Sequence, residues 1–142
     1  MPERAERPAR AKDLRTVLAL DFGLKRIGVA VGEPELCTAH PLAGIAAPGF
    51  DEIGRLVAEW RPAMIVVGLP VAERGAHPLA RRVERFARQL QGRFRLPVAR
   101  VDERFSSAAA ESRLGGRHRK AVDSVAAQLI LEQYFDEQAA RR

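Results

Sequence analysis

The sequence predicts an α/β fold: a mixed five-stranded sheet with helices on both faces. Three observations carry this. Val17-Leu18-Ala19-Leu20 and Ile27-Gly28-Val29-Ala30-Val31 are apolar runs separated by a short, glycine-containing turn, the pattern of an antiparallel hairpin. Two later apolar runs, residues 63–67 and 97–101, are bounded by helical patterns, as interior parallel strands are. In the segments between and after them apolar residues recur at i, i+3, i+4 and i+7, so those helices bury one face.

Length and composition narrow the class. The 142 residues suit one domain with a real core, and 46% hydrophobic and 30% charged content is ordinary for a globular protein. No apolar run approaches the ~20 residues of a membrane span. The charged, proline-containing start does not read as a secretory signal. One cysteine, Cys37, excludes an internal disulfide framework and a cysteine-based zinc cluster. A cytoplasmic protein without membrane contact is expected. The formal net charge of +6 and pI of about 10.6 suggest a polyanionic partner, nucleic acid foremost.

Taken in order, residues 1–14 read as a mixed-charge disordered tail, 15–138 as the folded domain and 139–142 as a polar tail. Strands are expected at 16–22 and 27–31, then a loop over 32–39 and a short edge strand at 42–46, opened by Pro41. Asp51 can N-cap a first helix that buries Ile53, Leu56, Val57 and Trp60 and ends at Pro62. After the strand at 63–67 comes a loop, then a helix opened by Pro78. It turns Leu79, Val83, Phe86, Ala87 and Leu90 inward. Arg81, Arg82, Arg85 and Arg88 face out as a solvated row, with Glu84 placed to pair with Arg88. Gly92 stops that helix. The fifth strand, 97–101, runs into Asp102-Glu103-Arg104. Ser106 or Ser107 caps a short helix closed by Gly115-Gly116. Arg117-His118-Arg119-Lys120 is a basic loop, and a last amphipathic helix spans 121–136. Right-handed crossovers put the fourth strand beside the first and the fifth outside it.

Strand parity then selects carboxylates. Val17, Ala19 and Asp21 share one face of the first strand, and Ala99, Val101 and Glu103 share one face of the last. Asp21 and Glu103 each extend an apolar row at the C-terminal end of a strand, where sites form in open sheets. In the last helix, Asp123 stands one and two turns before Ala126, Ala127 and Ile130, on the side that packs. For Asp21 a solvated turn is the plainer account, and for Asp123 service to the helix N-terminus. Buried, each would need a cation: a metal for either, or the turn bases Lys25 and Arg26 for Asp21. Three carboxylates from separate elements can bind two hard cations, and Mg²⁺ favours carboxylate and water oxygens. His40, His77 and His118 show no metal-ligand spacing.

Four successive motifs resemble those of the YqgF family, Holliday-junction-resolvase-like proteins also described as pre-16S ribosomal RNA nucleases. They are Asp21-Phe22-Gly23-x-Lys25-Arg26-Ile27-Gly28-Val29-Ala30-Val31, Val67-Gly68-Leu69-Pro70, Asp102-Glu103-Arg104-Phe105-Ser106-Ser107 and Val122-Asp123-Ser124-Val125-Ala126-Ala127. The resemblance implies a ribonuclease-H-like fold with sheet order 3-2-1-4-5. It implies a cytoplasmic nuclease dependent on Mg²⁺ or Mn²⁺ that matures the 5′ end of small-subunit ribosomal RNA. It also makes Asp21, Glu103 and Asp123 the metal-binding acids. The chain departs from the family pattern at Gly32-Glu33 and in the loop after Pro70, and neither departure touches the acids.

The leading reading is therefore a two-metal nuclease, monomeric or homodimeric. Lys25, Arg26, Arg104, Arg117, Arg119 and Lys120 would contact phosphates of a ribosomal RNA precursor or of branched DNA. A Holliday-junction resolvase is one alternative, and a non-catalytic nucleic-acid-binding factor, which would need the basic surface but not the acids, is another. Phosphate binding in the actin-like kinase manner is weaker, since such kinases close two domains over a nucleotide.

Overall fold

A computed structural model describes residues 15–70, 78–103 and 119–141, with the side chains of 119–123 excluded. Five strands form one sheet in the order β3-β2-β1-β4-β5. β1 (Val17–Asp21) pairs antiparallel with β2 (Arg26–Glu33), which pairs antiparallel with β3 (Thr38–Ala46). β4 (Met64–Leu69) runs parallel to β1, and β5 (Val98–Asp102) parallel to β4. The expected strand order holds.

Side-chain alternation builds two cores, one on each face of the sheet. Leu18, Leu20, Ile27, Val29, Ile65 and Val67 meet Ile53 of α1 (Phe50–Trp60) and Val83, Phe86, Ala87 and Leu90 of α2 (Ala80–Phe94). Leu56, Val57 and Trp60 pack at the margin of this core, partly buried. Val17, Ala19, Ala30, Val66 and Val101 meet Ala127, Ile130, Leu131 and Phe135 of α3 (Arg119–Ala140). Helices thus cover both faces, as expected. Among the described residues no helix is long and apolar enough to cross a membrane.

Several boundaries differ from expectation. β3 begins at Thr38, so the anticipated loop over 32–39 is a second hairpin with a tight turn. The Leu36 and Cys37 amides donate to the Glu33 and Pro34 carbonyls at 3.1 and 3.2 Å. Pro41 sits inside this strand opposite Ala30 rather than at its start, and an edge strand tolerates the missing N–H. Asp51 is not the N-cap. Gly49 takes that place with φ 58°, while Asp51 and Glu52 lie in the first turn and complement the helix dipole. Gly92 does not stop α2, because a glycine costs a helix only about 1 kcal/mol, which packing of the inner face outweighs. The helix ends instead at Arg95, whose amide donates the last helical bond, to the Gln91 carbonyl, and whose left-handed backbone (φ 55°) turns the chain out of the helix.

α3 is longer than expected at both ends. Arg119 and Lys120 belong to its first turn rather than to a loop, since both are good helix formers and no glycine or proline follows Gly116. The helical pattern expects Val122, Val125, Ala126, Leu129, Ile130 and Tyr134 on its buried face. Val125, Ala126 and Ile130 are buried, with Ala127, Leu131 and Phe135 besides, whereas Leu129 and Tyr134 are only partly so and the Val122 side chain lies outside the described residues. The short helix expected near Ser106 and the turn at Gly115-Gly116 lie outside the described residues.

Candidate active site

The parallel strands β1, β4 and β5 end along one edge of the sheet, and two of the candidate acids, Asp21 and Glu103, stand there. Asp21 is the last residue of β1, one step past the Leu20–Val67 pair, and so stands level with Gly68 of β4. Glu103 follows β5 directly, and its amide donates to the Leu69 carbonyl at 3.0 Å, extending the ladder by one bond. Val17, Ala19 and Val101 lie in the core beneath α3, so parity turns Asp21 and Glu103 to that same face.

Gly68 lies between them on this face. A Cβ there would stand 3.3 Å from Glu103 Cγ and would collide with Ile130 Cδ1. The absent side chain lets Glu103 lie down against the sheet and lets α3 come close. Glu103 is partly buried, and among the described residues its carboxyl has no hydrogen bond or ion pair. Burial pushes its pKa above the ordinary carboxylate value, because the charged form loses hydration.

α3 crosses the sheet from β3 to β5. At its start, the buried Ser124 hydroxyl donates to the Leu42 carbonyl, and Gln128 Nε2 donates to the Ala39 carbonyl at 3.0 Å. Further along, Ile130 lies over Gly68, and Gln133 Nε2 donates to the Asp102 carbonyl at 2.7 Å. Side chains of the helix are therefore anchored on both edge strands. Asp123 lies in its first turns, directly before Ser124 and seven residues before Ile130. Its side chain lies outside the described residues.

The expected phosphate contacts divide in the same way. Lys25 is exposed on the turn between β1 and β2. Arg26 opens β2 opposite Ala46 and is half-buried, with Nη2 shielded from solvent. Arg104 and Arg117 lie outside the described residues, and Arg119 and Lys120 are placed by backbone only. Among the described residues no group of three or more acidic, histidine or cysteine side chains gathers as a metal site. The structure thus brings Asp21 and Glu103 to one edge and one face.

Sequence reasoning did not assign roles to Gly68, Ser124 or Gln128. Gly68 carried a readable signal, since a glycine inside a strand marks a close approach. The two anchoring residues carried none, because their partners are backbone carbonyls more than 80 residues away.

The chain is similar to known proteins along its whole folded length. The family model of RuvX, described as Holliday junction resolvase, matches residues 15–137. A protein of Dechloromonas aromatica (strain RCB) named "Putative pre-16S rRNA nuclease" is 51% identical over 132 positions, covering 85% of this chain and 90% of that protein. A protein of the same name from Methylobacillus flagellatus is 50% identical and covers 96% of this chain and 97% of its own length. Among solved structures, Fowlpox virus resolvase bound to Holliday junction DNA superposes with a TM-score of 0.57 at 10% identity, over 87% of this chain and 98% of that one. Thermus thermophilus RuvC gives 0.50 at 16% identity, over 88% and 96%. At such identities the likeness is one of fold, and with the strand order it makes the fold ribonuclease-H-like.

Proposed function

Because the chain belongs to the RuvX (YqgF) family, we propose that it is a metal-dependent nuclease processing the 5′ end of the pre-16S ribosomal RNA, with Asp21, Glu103 and Asp123 as its metal-binding acids. One observation carries the site assignment: Asp21 and Glu103 stand on one face at the C-terminal ends of two parallel strands, on either side of Gly68.

The residues fit a hard cation. Their donors are carboxylate oxygens, which Mg²⁺ and Mn²⁺ take, and the partly buried carboxyl of Glu103 is one whose ionised form a cation would stabilise. Two such ions, when bound, stabilise the attacking and leaving oxygens of an in-line phosphoryl displacement. The chain's own part is positioning. β1 and the Glu103–Leu69 ladder bond fix two acids on a sheet edge, and the Ser124 and Gln128 bonds fix the start of the helix that carries the third. Lys25, Arg26, Arg104, Arg117, Arg119 and Lys120 hold substrate phosphates, which orient the strand without reading its sequence. A ribosomal RNA substrate places the work in the cytoplasm.

Asp21→Asn is expected to abolish Mn²⁺-dependent cleavage of a pre-16S RNA fragment while circular dichroism and the melting temperature stay near wild type. Undiminished cleavage by that variant overturns the assignment. The description of the family model favours a second reading, resolution of branched DNA. Symmetric cutting of a two-fold junction calls for a homodimer. Faster cleavage of a synthetic four-way junction than of the RNA fragment, by a dimer, would select it.

A further inference from the structure

We propose that the outer face of α2 is a second nucleic-acid contact, gripping the phosphodiester backbone of the substrate segment that leaves the carboxylate site. The nature of its occupant rests on the nuclease reading above.

Arg81, Arg82, Arg85 and Arg88 are all exposed and, with Gln89, line one open concavity of about 640 Å³. Positions 81, 85 and 88 follow i, i+4 and i+7, so three guanidinium groups form one stripe along the helix. At ~1.5 Å rise per residue the stripe is about 10 Å long, enough for its two ends to meet different phosphates of one strand.

Among the described residues this charge is compensated only at Arg88, and there weakly. Glu84 is the one acid within α2, and Arg100 of β5 takes it, with Nη2 and Nε at 2.7 and 3.0 Å from its two carboxylate oxygens. Arg88 makes the expected i, i+4 pair with the same carboxylate, but at 3.6 Å and while 72% exposed. Among the described residues Arg81, Arg82 and Arg85 form no salt bridge. The first turn of α2 holds no acid, whereas that of α1 holds Asp51 and Glu52. Four like charges on one face repel one another and cover no core. Such a face gains when a polyanion lies on it.

The row also starts in the right place. Three residues join the end of α2 to β5, so the helix ends beside the N-terminal end of that strand. Its first turns therefore lie toward the opposite edge, where the acids are. A ring contact marks the shared edge: Phe22, next to Asp21 but turned to the α2 face of the sheet, lies 4.8 Å from Phe86 between centroids. Arg82 stands one turn before Phe86 and Arg85 directly before it. A nucleic-acid strand leaving the acids can pass over this edge onto the arginine row.

The test is binding of a 30-nucleotide single-stranded RNA in the Asp21→Asn background, followed by fluorescence anisotropy across a salt series. Arg81→Glu/Arg85→Glu is compared with Arg55→Glu/Arg61→Glu, which changes net charge equally on exposed arginines of α1 and its C-cap. The α2 pair is expected to weaken binding at least ~10-fold and to flatten the salt slope by about 1.4, two phosphate contacts at ~0.7 each. The α1 pair is expected to leave the slope unchanged. Equal effects of the two pairs, or no effect of the α2 pair, overturn the proposal. Arg81→Gln/Arg85→Gln gives the same reading with less disturbance should the reversal fail to fold. The two proposals fail separately. Binding that depends on the α2 arginines in a protein that never cleaves removes only the nuclease reading. Cleavage with α2-independent binding removes only this one.

Discussion

Gly68 of β4 and Ile130 of α3 pack so closely that a methyl group at position 68 would collide with Ile130 Cδ1. The same methyl would stand 3.3 Å from Glu103 Cγ. Gly68→Ala therefore presses on the helix and on a candidate acid at once. Overpacking of this kind costs about 1–3 kcal/mol, which a thermal melt would register. Cleavage is expected to fall further than the melt explains, because Glu103 is pushed off the sheet. Adding Ile130→Val removes the colliding methyl and is expected to return most of the melting temperature but little of the cleavage. Recovery of both together would show that Gly68 serves packing alone.

Glu103 makes a pH prediction whose sign is fixed by the direction of its shift. Its folded pKa lies above the unfolded value because burial disfavours the charged form. Below both values the carboxyl is neutral in either state and contributes nothing. As pH rises past the ordinary carboxylate value, the unfolded chain ionises first and the fold loses stability, until the folded pKa is passed. In metal-free protein Glu103→Gln is accordingly expected to raise the melting temperature at pH 7 and to make no difference near pH 3. Mn²⁺ is expected to raise the wild-type melting temperature at pH 7 and to raise that of the variant less. A variant no more stable than wild type at pH 7 would count against the buried charge.

Much of this site was legible because strands alternate. Parity showed that Asp21 and Glu103 each extend an apolar row of their own strand, and the register puts both rows on one face, with Val17, Ala19 and Val101 in the core under α3. The boundaries were less legible where two residues compete for one task. Asp51 has the usual side chain for an N-cap, but Gly49 reaches a left-handed conformation at little cost and claims the position. Gly92 looked like a stop signal, yet Leu90 is fully buried and Phe94 packs against the same core, so the helix continues through the glycine. The first half of β3 was hidden because Thr38, Ala39 and His40 carry no apolar alternation. Their pairing comes from the ladder with Val31, Gly32 and Glu33. The arginine row and the Glu84–Arg88 pair were readable, but nothing in the spacing showed that Arg100 would take the closer hold on Glu84 across the layer.

Ser124 supplies the last prediction. Its hydroxyl is 2% exposed as part of the residue and donates to the Leu42 carbonyl, tying the first turns of α3 to the edge strand. Ser124→Ala leaves that carbonyl without this donor, a loss of about 1–3 kcal/mol measurable by urea unfolding. Gln128 makes the neighbouring bond one turn later, to Ala39. The two bonds hold the same stretch of helix on the same strand, so their losses should not add. Once the first anchor is gone the second restrains less, and Ser124→Ala/Gln128→Ala is expected to cost measurably less than the sum of the single variants. Asp123 directly precedes Ser124, so loosening this turn also loosens the proposed third acid. Ser124→Ala is expected to lower cleavage at saturating RNA at a temperature where the protein remains fully folded, and raised Mn²⁺ is expected to restore part of it. Full activity under those conditions would separate the anchoring of α3 from the placement of Asp123.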